Sequence, residues 1–535
     1  MRANKLGVAF IVLLAALCTA GTATAKDKVK TGGTLNVDLT TDVDYTDPAL
    51  SYLSTGWELE YATGLKLMNY PDGLGPRTAQ LLPEAAAGFP KVSNNGKTYD
   101  FTVNAGFTRF SDGSKVTAAN FKAAFDRIAD PKMQSPASAF MSDVVGSSTS
   151  PVSGVRAKGN HLIVTLVKAS PDFLARVAMP FFAAIPVNLP HDPNGVLTLP
   201  AAGPYYIASR TPNKSILLKR NPYYKGKRPH NANQINYTIG NSLDATYLRV
   251  QQGSTDYASG GIPPAAYAEA AQKYGINKGQ FWVEPLLSTS YLAFNTSRGI
   301  FKNNIALRKA VNQVIDRRAL LAQSGFLAGK RTDQILPPGM AGFRDADLYP
   351  LKQPNMLAAK KLAQGHTGDG NVVLYESNRG ASPLRAQIIQ YNLSQIGLNV
   401  DTKLFARAVQ LQKEGTRGEP FDIADESWGA DYADPYDFIN VLLDGRNIQE
   451  QNNNNFAYFN DPKFNKEMTQ ASLMSGPARY KAYGNLDVAI MQQGVPWAPR
   501  ANANNRMLIS KRTGCFAYSA IYTVDLAALC LKSGS

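Results

Sequence analysis

Residues 426–438 read E-S-W-G-A-D-Y-A-D-P-Y-D-F, and a short apolar run, Phe421-Asp422-Ile423-Ala424, leads into them. The run predicts a buried strand. Pro435 restricts Asp434 to extended geometry and cannot donate to a ladder, so the strand is expected to end there. Gly429 permits a sharp turn or the close approach of another backbone. Trp428 offers a broad apolar face with a single N–H. Together these residues predict a strand end carrying an aromatic wall and a fixed carboxylate. A plain strand-to-loop exit with solvated acids has the same pattern, so the rest of the chain must decide.

Working outward, a β-α-β unit precedes this stretch: a strand at 372–375, a helix at 384–396 stopped by Gly397, and a strand at 399–404. Further upstream, 290–295 reads as a strand and 304–324 as one long helix. Its apolar face is Ile305, Ala306, Ala310, Val314 and Leu320, with Arg308, Lys309, Arg317 and Arg318 expected in solvent. A second helix is expected at 356–362, and the last long one at 477–492. In the first half, 33–38 is a strand and 57–67 a helix. The pair 91–93 and 98–103 flanks Asn94-Asn95-Gly96, a tight hairpin turn. Thr117 caps a helix at 118–129, and 161–167 alternates as a strand. A new β region begins at Gly203 and continues through 215–219 and 234–239, followed by a helix at 244–252 and a strand at 256–258. The chain is α/β throughout. The first strand and the β region after Gly203 are expected to share one sheet, with 82–190 inserted between them.

The 535 residues exceed one core, so two or three domains are expected. A hydrophobic content of 44% with 18% charged residues describes an ordinary globular chain. The formal charge of +15 is spread along the sequence rather than gathered into the stripe a nucleic-acid binder would show. No nucleic-acid partner is expected. Arg2 and Lys5, the apolar run 6–16 and Ala23-Thr24-Ala25 form an export signal cleaved before Lys26. Cys18 leaves lipidation open, although Leu17 is not the small residue that usually precedes a lipidated cysteine. The protein is expected in the periplasm or at the outer face of the cell membrane. Without the signal, Cys515 and Cys530 form an even pair in an oxidising compartment, which predicts a disulfide.

Motifs for catalysis are missing from the sequence. The four histidines lie far apart, so there is no H-E-x-x-H helix, and no G-x-S-x-G elbow is present. Gly325 to Arg331 resembles a phosphate loop but has the wrong spacing and follows a helix. The acids Asp42, Asp44 and Asp47 begin like a calcium loop, but its twelfth position is Leu53 rather than Glu. No catalytic residue, metal or cofactor is expected.

Four stretches, taken together and in order, resemble the oligopeptide/dipeptide-binding proteins of ABC importers, family 5 of the extracytoplasmic solute-binding proteins. They are Gly96 to Val103 with Phe107 to Gly113 and the helix after Thr117; Gly203-Pro204-Tyr205 with Arg220-Asn221-Pro222-Tyr223; Ala293-Phe294-Asn295-Thr296 with Leu307 to Asn312 and Ile315-Asp316-Arg317; and Trp428-Gly429-Ala430-Asp431-Tyr432-Ala433-Asp434-Pro435. Ser111 stands where the family usually has His, and Asn120-Phe121 where it has Asp-Val. The resemblance implies a two-lobed periplasmic-binding-protein-like fold (type II, cluster C) with an extra domain inserted in the first lobe. The expected boundaries are 1–25 signal peptide, 26–75 and 191–285 lobe I, 76–190 inserted domain, 286–504 lobe II, and 505–535 a return to lobe I.

The implied function is that of a receptor, not an enzyme: a monomer that closes on a peptide and delivers it to a membrane permease. The same fold binding another solute (oligosaccharide, opine, nickel chelate or cationic amine) is the alternative. By resemblance, Asp431 pairs with the ligand's α-ammonium, and Ser427, Trp428 and Gly429 supply backbone contacts and a wall. Tyr52, Leu53 and Ser54 are expected as a ligand-facing strand edge of lobe I, and Tyr291 and Asn295 where the chain crosses between lobes. One departure concerns charge. Where some oligopeptide binders carry an arginine, this chain has Asp425 and Glu426, with Arg417 the nearest basic residue. Two acids beside an ammonium site would favour a cationic ligand, unless both point to solvent.

Overall fold

The computed structural model describes residues 29–71, 80–104 and 109–533. The export signal, Cys18 and part of the first family-like stretch (Phe107, Thr108) lie outside the described residues.

The first long strand, Thr34–Leu39, pairs in parallel with Gln234–Ile239, about 200 residues later in the chain, and with Tyr257–Ala258. Ser215–Arg220 and Tyr205–Thr211 extend this sheet antiparallel, giving lobe I five strands. The intervening chain therefore leaves the sheet and returns to it. It builds a separate antiparallel sheet of Lys91–Ser93, Thr98–Thr102, His161–Thr165 and Val155–Lys158, covered by the Ala118–Ala129 helix. The hairpin turn forms as the sequence indicates: Asn94 and Asn95 adopt φ of 52° and 53°, and Gly96 φ of 81°. Thr117 and Asn120 form the capping pair of the covering helix.

A seven-stranded mixed sheet forms the body of lobe II and continues through Phe281–Pro285 towards lobe I. The β-α-β unit is Asn371–Ser377, Ser382–Ser394 and Asn399–Phe405, with the two strands parallel. The strand Ile423–Gly429 lies between this unit and Ser288–Phe294. It runs through Trp428 and ends at Gly429, short of the Asp434-Pro435 stop that the sequence suggests. Pro435 serves as N-cap of the Tyr436–Leu443 helix.

The long helix expected at 304–324 is two helices, Ile305–Val314 and Arg317–Ala322. Asp316 breaks it by capping the second, its side chain accepting from the N–H of Ala319 at 2.9 Å. Arg308 and Arg317, expected in solvent, are buried. Arg317 donates to the carbonyls of Thr332, Pro499, Asn312 and Pro350, so it ties the new helix to three separate segments.

Two stretches carry the chain between the lobes. The strand Trp497–Leu508 pairs with Ser288–Phe294 in its first half and with Phe281–Pro285 in its second. Trp497 belongs to the lobe II core, and Met507 to that of lobe I. The crossings thus lie at Leu286-Leu287 and near Asn504-Asn505. Tyr291 and Asn295 sit inside lobe II instead: Tyr291 stacks on Trp497 with ring centroids 3.6 Å apart, and Asn295 donates to the carbonyl of Phe421. After the second crossing, the tail packs Ile509, Val524, Leu526 and Leu529 into the lobe I core. Cys515 and Cys530 are disulfide-bonded there. Closing so short a loop stabilises by about 3 kcal/mol in the chain-entropy model.

Candidate functional site

The Ser54–Thr63 helix starts three residues earlier than its apolar pattern indicates. Asp44 sets its start. Its Oδ2 accepts from the N–H groups of Tyr52 and Leu53 at 2.6 and 2.9 Å, and its Oδ1 from the Ser51 hydroxyl at 3.2 Å. The segment expected as a strand edge is therefore a carboxylate-fixed loop entering a helix. After its first two residues the helix has no solvent-exposed side: Trp57, Glu58, Leu59, Glu60, Tyr61 and Ala62 are all buried.

Tyr52 reaches across to lobe II, and its hydroxyl donates to Asp431 Oδ1 at 2.9 Å. Its ring packs against Trp57 of lobe I and against Phe140 and Phe181 of the inserted domain. Two further contacts join the same lobe II segment to the other side. The Ala433 N–H donates to Tyr70 Oη at 3.2 Å, and Tyr432 Oη donates to Asp172 Oδ2 at 3.1 Å. Asp172 in turn is paired with Arg176. The lobes are closed on one another.

Between the lobes lies a partly open cavity of about 360 Å³. Lobe I contributes Tyr52, Ser54, Thr55, Glu58, Tyr257, Ser259 and Thr523; lobe II contributes Ser288, Gly429, Ala430 and Asp431; the crossings contribute Leu286, Leu287 and Asn505. Ser54, Thr55 and Glu58 share one face of the helix, as i, i+1 and i+4 must. A Cβ added to Gly429 would meet nothing within 4 Å. Thr523 holds a left-handed backbone with φ of 64°, rare for a β-branched residue.

Among the described residues, two carboxylates line this space, and no lysine, arginine or histidine does. Burial pushes Asp431 up to about 7, partly offset by the Tyr52 hydrogen bond. Burial likewise pushes Glu58 up to about 7, against the hydrogen bonds from Ser259, Thr523 and Tyr257. Burial and the Asp431 charge raise the Tyr52 phenol, so it remains a donor. Behind Asp431 stands Asp437, which accepts from the Asp431 N–H at 3.0 Å and from Trp428 Nε1 at 3.2 Å. Burial and then the Asp431 charge drive Asp437 well above the usual carboxylate range. Asp434 is held by Arg479 at 2.7 Å.

Of the residues the sequence singles out, the fold brings Tyr52, Ser54, Gly429 and Asp431 to the cavity. Leu53 is exposed, Ser427 is exposed, and neither lines it. Trp428 is half-buried and stands behind the site, orienting Asp437 rather than forming a wall. Asp425 and Arg417 are not brought there. Asp425 is buried between Arg500 at 2.9 Å and Arg385 at 3.2 Å. Glu426 is buried on Arg407. These two acids face neither ligand nor solvent, because arginines from neighbouring elements neutralise them. Arg417 pairs with Glu450 on the exposed surface. Sequence reading missed Glu58, Tyr257, Ser259 and Thr523. For Glu58 a signal existed: an acid between Trp57 and Leu59.

Residues 80–450 match the family described as bacterial extracellular solute-binding proteins, family 5, middle region. The chain belongs to that family. Among family relatives, the periplasmic oligopeptide-binding protein OppA of Salmonella typhimurium is 25% identical over 405 residues, spanning 70% of this chain and 72% of that protein. The periplasmic murein peptide-binding protein MppA of Escherichia coli is 24% identical, spanning 78% and 79%. Among solved structures, clavulanic acid biosynthesis oligopeptide binding protein 2 superposes with a TM-score of 0.85 at 22% identity, covering 94% of this chain and 96% of that one. The DppA protein from Helicobacter pylori in complex with the peptide STSA superposes at 0.74 with 19% identity, covering 94% and 99%. At these identities the superpositions establish the family 5 binding-protein fold. Among the described residues, no helix is long and apolar enough to cross a membrane.

Proposed function

We propose that this family 5 protein is the extracytoplasmic receptor of an ABC importer, capturing a short peptide between its lobes and handing it to a membrane permease. The observation carrying this reading is the interlobe cavity of about 360 Å³, beside which the two lobes meet through Tyr52 and Asp431. Its volume lies at the low end for small-molecule sites, which suits a short peptide rather than a long one. Asp431 is the anchor for the peptide's α-ammonium. A buried carboxylate without a protein cation gains most from a charged donor. Gly429 and Ala430 offer backbone to the peptide, and the open space at Gly429 leaves room for it. The crossings at Leu286-Leu287 and Asn504-Asn505 are the hinge, and the receptor acts as an exported monomer.

Native mass spectrometry of the mature protein, purified without refolding, tests this reading. Added mass that resolves into short peptides is the expected result. Added mass from a sugar or a metal chelate would overturn it and remove the role given to Asp431.

A further inference from the structure

Glu58 lies on the lobe I side of the cavity, with Asp431 on the lobe II side. It is held by three hydroxyls from two separate segments. Tyr257 Oη donates to Oε1 at 2.9 Å, Thr523 Oγ1 donates to Oε1 at 2.9 Å, and Ser259 Oγ donates to Oε2 at 2.5 Å. Tyr257 and Ser259 belong to the edge of the lobe I sheet, and Thr523 to the C-terminal tail. The side chain is therefore fixed in position before any ligand arrives.

Several buried acids nearby have an arginine: Asp47 has Arg127, Asp143 and Asp172 share Arg176, and Asp434 has Arg479. Asp437 has none, but it stands behind Asp431 and does not line the cavity. Glu58 and Asp431 have hydroxyl donors but no basic side chain in an ion pair. Ionised and buried, each is costly until a cation meets it. Both face the same cleft, which among the described residues is lined by no cation of the protein's own. The missing positive charges must therefore come with the ligand, and there are two carboxylates to satisfy.

We propose that Glu58 is a specificity-determining residue that receives a second cationic group, so that the ligand is a short peptide with a basic side chain in addition to its α-ammonium. The inference rests on the peptide reading above and narrows it. The ammonium or guanidinium of lysine, ornithine or arginine is the chemistry Glu58 selects, and an acidic side chain is what it rejects. The hydroxyls of Tyr257, Ser259 and Thr523 orient the carboxylate, while the ligand supplies the charge.

The test is calorimetric titration of the mature protein, freed of bound ligand, with a set of tripeptides. Trialanine is compared with alanine tripeptides carrying one lysine at each position in turn, and with the same three carrying norleucine, which matches lysine in length without its charge. At least one lysyl peptide is expected to bind about 10- to 100-fold more tightly than its norleucine counterpart. In Glu58→Gln that ratio is expected to fall towards one, whatever happens to the individual affinities. Equal affinity of lysyl and norleucyl peptides in the wild type overturns the proposal and leaves the peptide reading standing. A ratio kept in Glu58→Gln also overturns it, by placing the selecting charge elsewhere. Binding of none of the peptides overturns the peptide reading itself. The wild-type comparison needs no variant, so it decides even if Glu58→Gln does not fold.

Discussion

A carboxylate removed from water without a cation destabilises the state that buries it by several kcal/mol. Asp431 is in that position, with one phenol donor from Tyr52 and an acid, Asp437, behind it. Asp431→Asn keeps an oxygen for the Tyr52 hydroxyl and removes the charge. The ligand-free variant is expected to melt no lower than the wild type, while peptide affinity falls about 100-fold or more. Scanning calorimetry and titration of the same samples check both halves, and a variant that binds as well as wild type would remove the ammonium role. Gly429→Ala separates fold from ligand at the neighbouring position. The added methyl meets nothing within 4 Å and the backbone is not left-handed there, so the melting temperature should stay within about 1 °C. Peptide binding should weaken, because the methyl group takes up space beside the ligand.

The pattern of apolar residues located most elements, but it placed their ends and their buried cations poorly. The hairpin at Asn94-Asn95-Gly96 and the Ala118–Ala129 helix follow from local chemistry: two asparagines that tolerate positive φ, and a threonine that caps. The helix pair around Asp316 does not. Alternation of apolar and basic residues looks the same whether the arginines meet solvent or carbonyls, and Arg317 meets four carbonyls, one from the preceding helix and three from other segments. Arg317→Met is therefore expected to cost at least about 3 kcal/mol, since each buried carbonyl left without a donor costs about 1–3 kcal/mol. Urea unfolding monitored by fluorescence would show it. A loss below about 1 kcal/mol would mean that the carbonyls find other donors.

At the scale of the whole molecule, closure is coupled to protonation. In the closed form Asp431, which meets Tyr52 of the other lobe, is raised by burial to about 7 from the ordinary carboxylate value near 4. The closed, ligand-free form is therefore expected to bind more protons than an open one between about pH 4 and pH 7. This contribution to closure is fully present below the ordinary carboxylate range and is lost as pH rises through about 7. Small-angle scattering of ligand-free protein should give a larger radius of gyration at pH 8 than at pH 5, and a bound basic peptide should abolish the difference. Equal radii in the ligand-free protein would show that Asp431 does not govern closure.

The sequence alone determined the α/β class, the inserted unit, the disulfide partners and the place of Asp431. These depend on turn chemistry, periodicity, cysteine parity and four ordered family-like stretches, all of which are local or countable along the chain. Only the tertiary structure decided which acids face the cavity. Asp425 and Glu426 stand near Asp431 in sequence, yet Arg500, Arg385 and Arg407 neutralise them inside lobe II. Glu58, more than 370 residues from Asp431, shares its cavity. Whether a carboxylate is paired or free depends on which distant cation the fold brings against it, and sequence spacing carries no information about that.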